Sequence, residues 1–348
     1  MSPNYLRPPE LFDGLRLHQN ENTGGCSPRV IEALARMPRD RVGFYPAYQA
    51  MAEAAARYFG VHTDHLALTN GLDEGIMALS VAVLRPRPGG SVPEAVIPEP
   101  TFEIYNLDTD VAGGRTVTVP PGPDFAFPLD AVLAAITPAT RVVFLTNPNN
   151  PTGQMMSKEA IRAVARAVPS EAVVFLDEAY AEFAGETFLP ELAQHPNVIV
   201  GRTFSKAFGL AGLRVGALIG DPARLAPIVR AVPVYSVNVA AAAVLPAALG
   251  DRAYLEDYLR QVKESKQILY AACDRLGLKY WKSGGNFVLV RIGDQSKDVI
   301  AALAARKIFV RDRSTDAGCA GCVRIATGQV AHTQQLIAAL EEVLCAVR

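Results

Sequence analysis

Apolar residues along this chain of 348 residues fall into two regimes. In the middle most come as short continuous runs, at 95–97, 141–146, 173–177 and 198–200, rather than in alternation with polar ones, and a further short strand is expected at 116–119. Such runs predict strands of a parallel sheet covered on both faces. Helical stretches at 129–135 and 158–167 supply crossovers, so the pattern is α/β and doubly wound. Ahead of this block lie an irregular arm (1–28), helices at 29–37 and 47–59, and a short strand at 66–69. A turn at 70–75 then leads into a helix that runs to Leu84. Ser27 is placed to cap the first helix, with Pro28 at its first position, where a missing N–H costs nothing.

From about residue 246 the character changes. A long amphipathic helix at 251–276 is followed by a strand at 287–291, a helix at 298–305, strands at 308–311 and 323–325, and a final helix at 331–346. The expected division is a large domain at 29–246 and a small α+β domain at 247–348, with the arm 1–28 packed against the latter. The length suits one large and one small domain.

Composition narrows the function classes. Half the residues are apolar and a fifth are charged, which is ordinary for a globular protein. The formal net charge is -1 and there is no basic run, so neither nucleic acid nor an acidic membrane surface is an expected partner. Apolar runs break at Pro, Gly or charge well short of about 18 residues, so no transmembrane helix is expected. The polar, proline-rich N-terminus lacks the apolar core of a signal peptide, and the expected location is cytoplasmic. Five cysteines, an odd number, argue against a disulfide framework. Cys319 and Cys322 have redox or metal spacing, but no second Cys/His pair stands nearby and the histidines are scattered. No metal site is expected.

The candidate chemistry centres on residues 203–216. Lys206 follows Thr203 and Ser205 at the end of an apolar run, precedes a glycine-punctuated turn, and has Arg214 eight residues further on. A surface lysine needs none of that company. A lysine that forms a Schiff base with an aldehyde does: its amine must be neutral to attack, which desolvation beside cations favours. Thr203, Ser205 and Arg214 would hold the aldehyde's phosphate. The turn Asn70-Gly71-Leu72-Asp73-Glu74 joins a strand to a helix, so the N–H groups of Gly71, Leu72 and Asp73 can meet an anion at the helix N-terminus. Asp177 ends its run at the carboxyl edge of the sheet, where open α/β folds bind ligands, although a strand-end Asp is more often a cap or turn residue. The 147–153 segment follows another strand and by composition alone is a tight turn.

Together these segments resemble the pyridoxal-phosphate aminotransferases of fold type I, over roughly residues 20–325. The resemblance implies roles. Asp177, in Asp177-Glu178-Ala179-Tyr180, would keep the pyridine nitrogen of pyridoxal 5'-phosphate protonated, so that the ring can accept electrons. Tyr180 and Asn150, the latter in Asn150-Pro151-Thr152-Gly153, would hydrogen-bond the ring's phenolic oxygen. Phe102 stands where relatives often carry Tyr and would stack on the ring. Tyr45 would reach the phosphate in the neighbouring subunit, which makes a homodimer the expected active unit. Arg324, in Arg324-Ile325-Ala326-Thr327-Gly328, would fix a substrate carboxylate bidentately.

Within that group, Asn20-Glu21-Asn22, the 71–74 turn, the 205–214 segment and Val234-Tyr235-Ser236-Val237-Asn238 resemble the histidinol-phosphate aminotransferases. In that family an Arg-Asp pair thirteen residues before the carboxylate arginine grips the substrate's phosphate. Arg311-Asp312 stands thirteen residues before Arg324, with Arg313 as a second basic side chain. Ala47 and Ser236 depart from the family's usual Asp and Asn. The implied reaction is transamination of histidinol phosphate with 2-oxoglutarate in histidine biosynthesis. Arg311 would serve the phosphate, Arg324 would serve glutamate, and Lys206 would move the proton. The alternatives are an aromatic or other amino-acid aminotransferase, a phosphothreonine-type decarboxylase, and a cofactor-binding regulatory protein, for which no DNA-binding extension is visible.

Overall fold

The computed structural model describes residues 13–347, so residues 1–12 of the expected arm lie outside the described residues. A seven-stranded sheet forms the larger part. Its spatial order is Leu66–Thr69, Gly216–Ile219, Val198–Thr203, Val173–Asp177, Thr140–Thr146, Glu94–Pro98, Arg115–Val119. The last five pair in parallel, while Gly216–Ile219 runs antiparallel to both its neighbours. Every residue of Val173–Asp177 and Val198–Thr203 is buried, which is why these strands read as continuous apolar runs. Successive side chains go to opposite faces: Val174, Leu176, Val198 and Val200 join one apolar cluster, Phe175, Ile199 and Leu218 the other.

Two features of this sheet differ from the sequence reading. Gly216–Ile219 was not expected, because four residues directly after a glycine-rich turn carry no strand pattern of their own. The strand at 198–200 continues through Arg202 and Thr203. Arg202 does not end it, because its buried guanidinium meets Glu178 at 3.1 Å and also bonds Glu182. Helix Pro28–Ala35 starts as expected, with Ser27 Oγ accepting from Arg29 N–H at 3.1 Å.

The second sheet is antiparallel, in the order Arg311–Asp312, Cys322–Ala326, Phe287–Arg291, Lys279–Trp281. Helix Arg252–Leu276, capped by Asp251 and ended by Gly277 in the left-handed region, packs beside it. Lys279–Trp281 is an edge strand that the sequence reading lacks. The single strand expected at 308–311 is split, because Ile308–Phe309 pairs in parallel with Leu15–Arg16 of the arm. The arm continues between the two halves of this region: Leu17 N–H donates to Phe309 O at 2.8 Å, and Leu17 O accepts from Ala326 N–H at 2.9 Å. No helix among the described residues is long and apolar enough to cross a membrane.

Candidate active site

Parallel strands present their carboxyl ends along one edge, and here four of the five, all but Arg115–Val119, open into the same cleft of about 370 Å³. The Val173–Asp177 strand delivers Asp177 and, one turn on, Tyr180. The Val198–Thr203 strand delivers Thr203, Ser205 and Lys206, with Arg214 returning after the glycine-rich turn. Leu72 and Asp73 follow the first strand, and Phe102 and Asn150 follow two of the others. Arg311 and Arg324 arrive from the second sheet, where they stand directly opposite each other in register. All twelve line the cleft. Tyr45 does not: it is exposed and stacks on Tyr235, ring centroids 4.2 Å apart.

Asp177 is buried at the floor. Its Oδ2 accepts from the Tyr105 hydroxyl at 2.6 Å and its Oδ1 from Ala179 N–H at 2.8 Å. Burial pushes its carboxyl up to about 6, and those two donors work against the rise. Lys206 Nζ donates to Gln19 O at 2.9 Å, and Tyr180 Oη accepts from Asn20 Nδ2 at 3.0 Å. Arg324 donates from Nη2 to His18 O at 2.7 Å and from Nη1 to Asn150 Oδ1. Burial, reinforced by Arg313 and Arg311 and opposed by Tyr180, brings its guanidinium down to about 10.

At the other end of the cleft, helix Leu72–Leu84 begins at Gly71 without any side-chain cap, so its first N–H groups are available to an anion. Ser205 N–H donates to Thr203 Oγ1 at 3.2 Å. Arg214 donates to Asp73 Oδ2 at 2.9 Å, so Asp73 brings a carboxylate to the site as well as an N–H. Gly71 is not on the wall itself, but a Cβ there would stand 2.4 Å from Arg214 Nη2. Glycine is what lets the guanidinium close over the turn. A helix N-terminus, two hydroxyl residues and a guanidinium form a cradle that fits a phosphate dianion, and buried Asp177 fits a pyridinium N–H.

The chain matches the family model of aminotransferase class I and II over residues 13–340. It belongs to that family. A histidinol-phosphate aminotransferase from Moorella thermoacetica is 35% identical over 339 residues, covering 95% of this chain and 86% of that protein. Histidinol-phosphate aminotransferase 1 from Cupriavidus pinatubonensis is 37% identical over 339 residues, covering 95% and 88%. Histidinol-phosphate aminotransferase from Sinorhizobium meliloti, solved in complex with pyridoxal-5'-phosphate, matches with a TM-score of 0.88 at 30% identity, covering 96% of this chain and 92% of that one. The expected fold, that of fold type I aminotransferases, is the one observed.

Three features of this aminotransferase cleft escaped the sequence reading. Tyr105 belongs to no motif, and only helix Ile104–Val111 packed under the sheet brings it to Asp177. The arm supplies His18, Gln19 and Asn20 to the wall, a placement that the Asn20-Glu21-Asn22 motif alone does not reveal. Arg313, the second basic side chain beside Arg311 in sequence, is buried between Glu103 and Asp316, each at 2.6 Å. Arg311 differs: its guanidinium makes no hydrogen bond or ion pair among the described residues.

Proposed function

We propose that this aminotransferase uses pyridoxal 5'-phosphate to move the amino group of histidinol phosphate to 2-oxoglutarate, as a homodimer in the cytoplasm. The observation that carries the substrate choice is the pair of arginines facing each other across the second sheet. Arg324 is already tied to Asn150 and the His18 carbonyl, while the guanidinium of Arg311 makes no hydrogen bond or ion pair among the described residues. An amine with one carboxylate needs one such group. A phosphate monoester and a dicarboxylate alternating in one cleft give both work.

The residues that would hold the cofactor are the Gly71-Leu72-Asp73 turn, Thr203, Ser205 and Arg214 at its phosphate, Asp177 at the ring nitrogen, Asn150 and Tyr180 at the ring oxygen, and Phe102 against the ring. When bound, pyridoxal phosphate supplies an aldehyde for the amine and a ring that takes up electrons from the α-carbon. Everything else falls to this chain. Asp177, steadied by Tyr105 and Ala179, holds a negative charge in a buried place. Lys206, whose amine rests on the Gln19 carbonyl, carries the proton to and from the substrate's α-carbon. Arg311 orients the phosphate of the donor, and Arg324 the carboxylate of glutamate or 2-oxoglutarate.

The dimer reading is supported by an exposed apolar patch around Tyr45. Val42, Phe44, Tyr45, Val234 and Tyr235 are 53% to 80% exposed, and the Tyr45–Tyr235 stack joins the two segments. Exposed apolar groupings of this kind mark contact surfaces. A second copy of the chain would bury the patch and bring Tyr45 to the partner's phosphate site.

Half-reaction spectroscopy of the cofactor-loaded protein against a panel of amines tests the substrate. Histidinol phosphate is expected to convert the cofactor fastest. Strong conversion by phenylalanine with none by histidinol phosphate would overturn the assignment.

A further inference from the structure

Leu17 is hydrogen-bonded on both sides, to Phe309 and to Ala326. The next residue, His18, is therefore held between the segment carrying Arg311 and the strand carrying Arg324. His18 lines the cleft and is 5% exposed. Its carbonyl already accepts from Arg324, and its ring stands edge-on to Phe309 at 6.1 Å. Nδ1 is sealed in the wall with no hydrogen-bond partner among the described residues, which leaves Nε2 as the nitrogen that a molecule in the cleft can reach. Burial first, then Arg16, Arg311 and Arg324, bring the imidazole down to about 4, so the ring is neutral near pH 7. A neutral imidazole has one N–H, and with no acceptor at Nδ1 the useful tautomer carries it on Nε2.

We propose that His18 is a specificity-determining residue that donates from Nε2 to a phosphate oxygen of the donor substrate, beside Arg311. The inference rests on the reading of the cleft as a histidinol-phosphate site. A phosphate monoester offers three terminal oxygens where a carboxylate offers two. The third oxygen gives His18 a partner that neither carboxylate of glutamate supplies once an arginine fork has taken both oxygens. A neutral donor also adds no third positive charge beside Arg311 and Arg324, so the site does not repel itself when glutamate takes its turn.

The test compares kcat/KM for histidinol phosphate, histidinol and glutamate in the wild type, His18→Phe and His18→Gln, each checked for its cofactor absorbance. Hydrogen bonds to charged groups set the expected size. His18→Phe should lose about ten- to hundredfold for histidinol phosphate, mainly through KM, and less than about threefold for the other two. His18→Gln, which keeps an N–H donor, should recover most of the loss. Equal losses for all three substrates would mean a packing role and overturn the proposal, as would no loss at all. A wild type that fails to prefer histidinol phosphate over histidinol would overturn the cleft reading itself, and this inference with it.

Discussion

Tyr105 donates its hydroxyl proton to Asp177 Oδ2 at 2.6 Å, deep under the sheet edge, with its ring stacked on Phe144 at 4.8 Å. Burial puts Asp177 at about 6, and the tyrosine favours the charged carboxylate. Protonating Asp177 removes the charge that a pyridinium N–H needs, so cofactor affinity should fall as pH drops through about 6. Tyr105→Phe should move that fall to higher pH and weaken binding roughly tenfold near pH 6. Cofactor titrations from pH 5 to 8 read this directly, and an unmoved midpoint would remove Tyr105 from the account.

Asp108, on the same helix, is fully buried, and neither of its oxygens has a hydrogen-bond partner among the described residues. Burial, then the charge of Asp73, pushes its carboxyl up to about 7. The folded value lies above the unfolded one of about 4, so the folded state holds the proton more tightly. That contribution is fully present below about pH 4 and is lost as pH rises through about 7. Asp108→Asn should therefore stabilise the protein by about 1–4 kcal/mol at pH 8 and hardly at all near pH 4. Thermal unfolding across that range checks it. A difference independent of pH would contradict the assignment.

Much of this was legible along the chain because parallel strands end where ligands bind. Asp177, Lys206 and Asn150 each follow a continuous apolar run, so strand position alone put them on one edge. The contacts that tune them come from far away in sequence. Tyr105 reaches Asp177 through helix packing, and Gln19 meets Lys206 across 187 residues. Arg313 looks like Arg311 in sequence, but its charge is spent on Glu103 and Asp316, whose positions depend on two different segments. The antiparallel Gly216–Ile219 strand was invisible because its identity lies in its two partners rather than in its own four residues.

Arg202 sits inside a central strand with Glu178 and Glu182 as its ion-pair partners. Replacing it with leucine leaves Glu178 buried with Thr187 and Phe188 N–H as its remaining donors among the described residues. Arg202→Leu should cost about 3–5 kcal/mol in denaturant unfolding. Adding Glu178→Gln and Glu182→Gln should recover much of that, since no uncompensated charge then remains. No recovery would place the cost in packing instead.

Arg311→Ala should separate the two substrates. Losing the arginine assigned to the phosphate should cut kcat/KM for histidinol phosphate by about a hundredfold or more, with a much smaller loss for glutamate. Equal losses in the two half-reactions would sink the division of labour between Arg311 and Arg324.

The most direct measurement concerns Lys206. Borohydride reduction of the cofactor-loaded protein, followed by peptide mass spectrometry, locates the amine that bonds the aldehyde. One pyridoxyl group per chain on Lys206 is the predicted result, with Lys206→Ala losing both the adduct and the visible absorbance of the loaded protein. An adduct on another lysine, or visible absorbance that survives Lys206→Ala, would contradict the account.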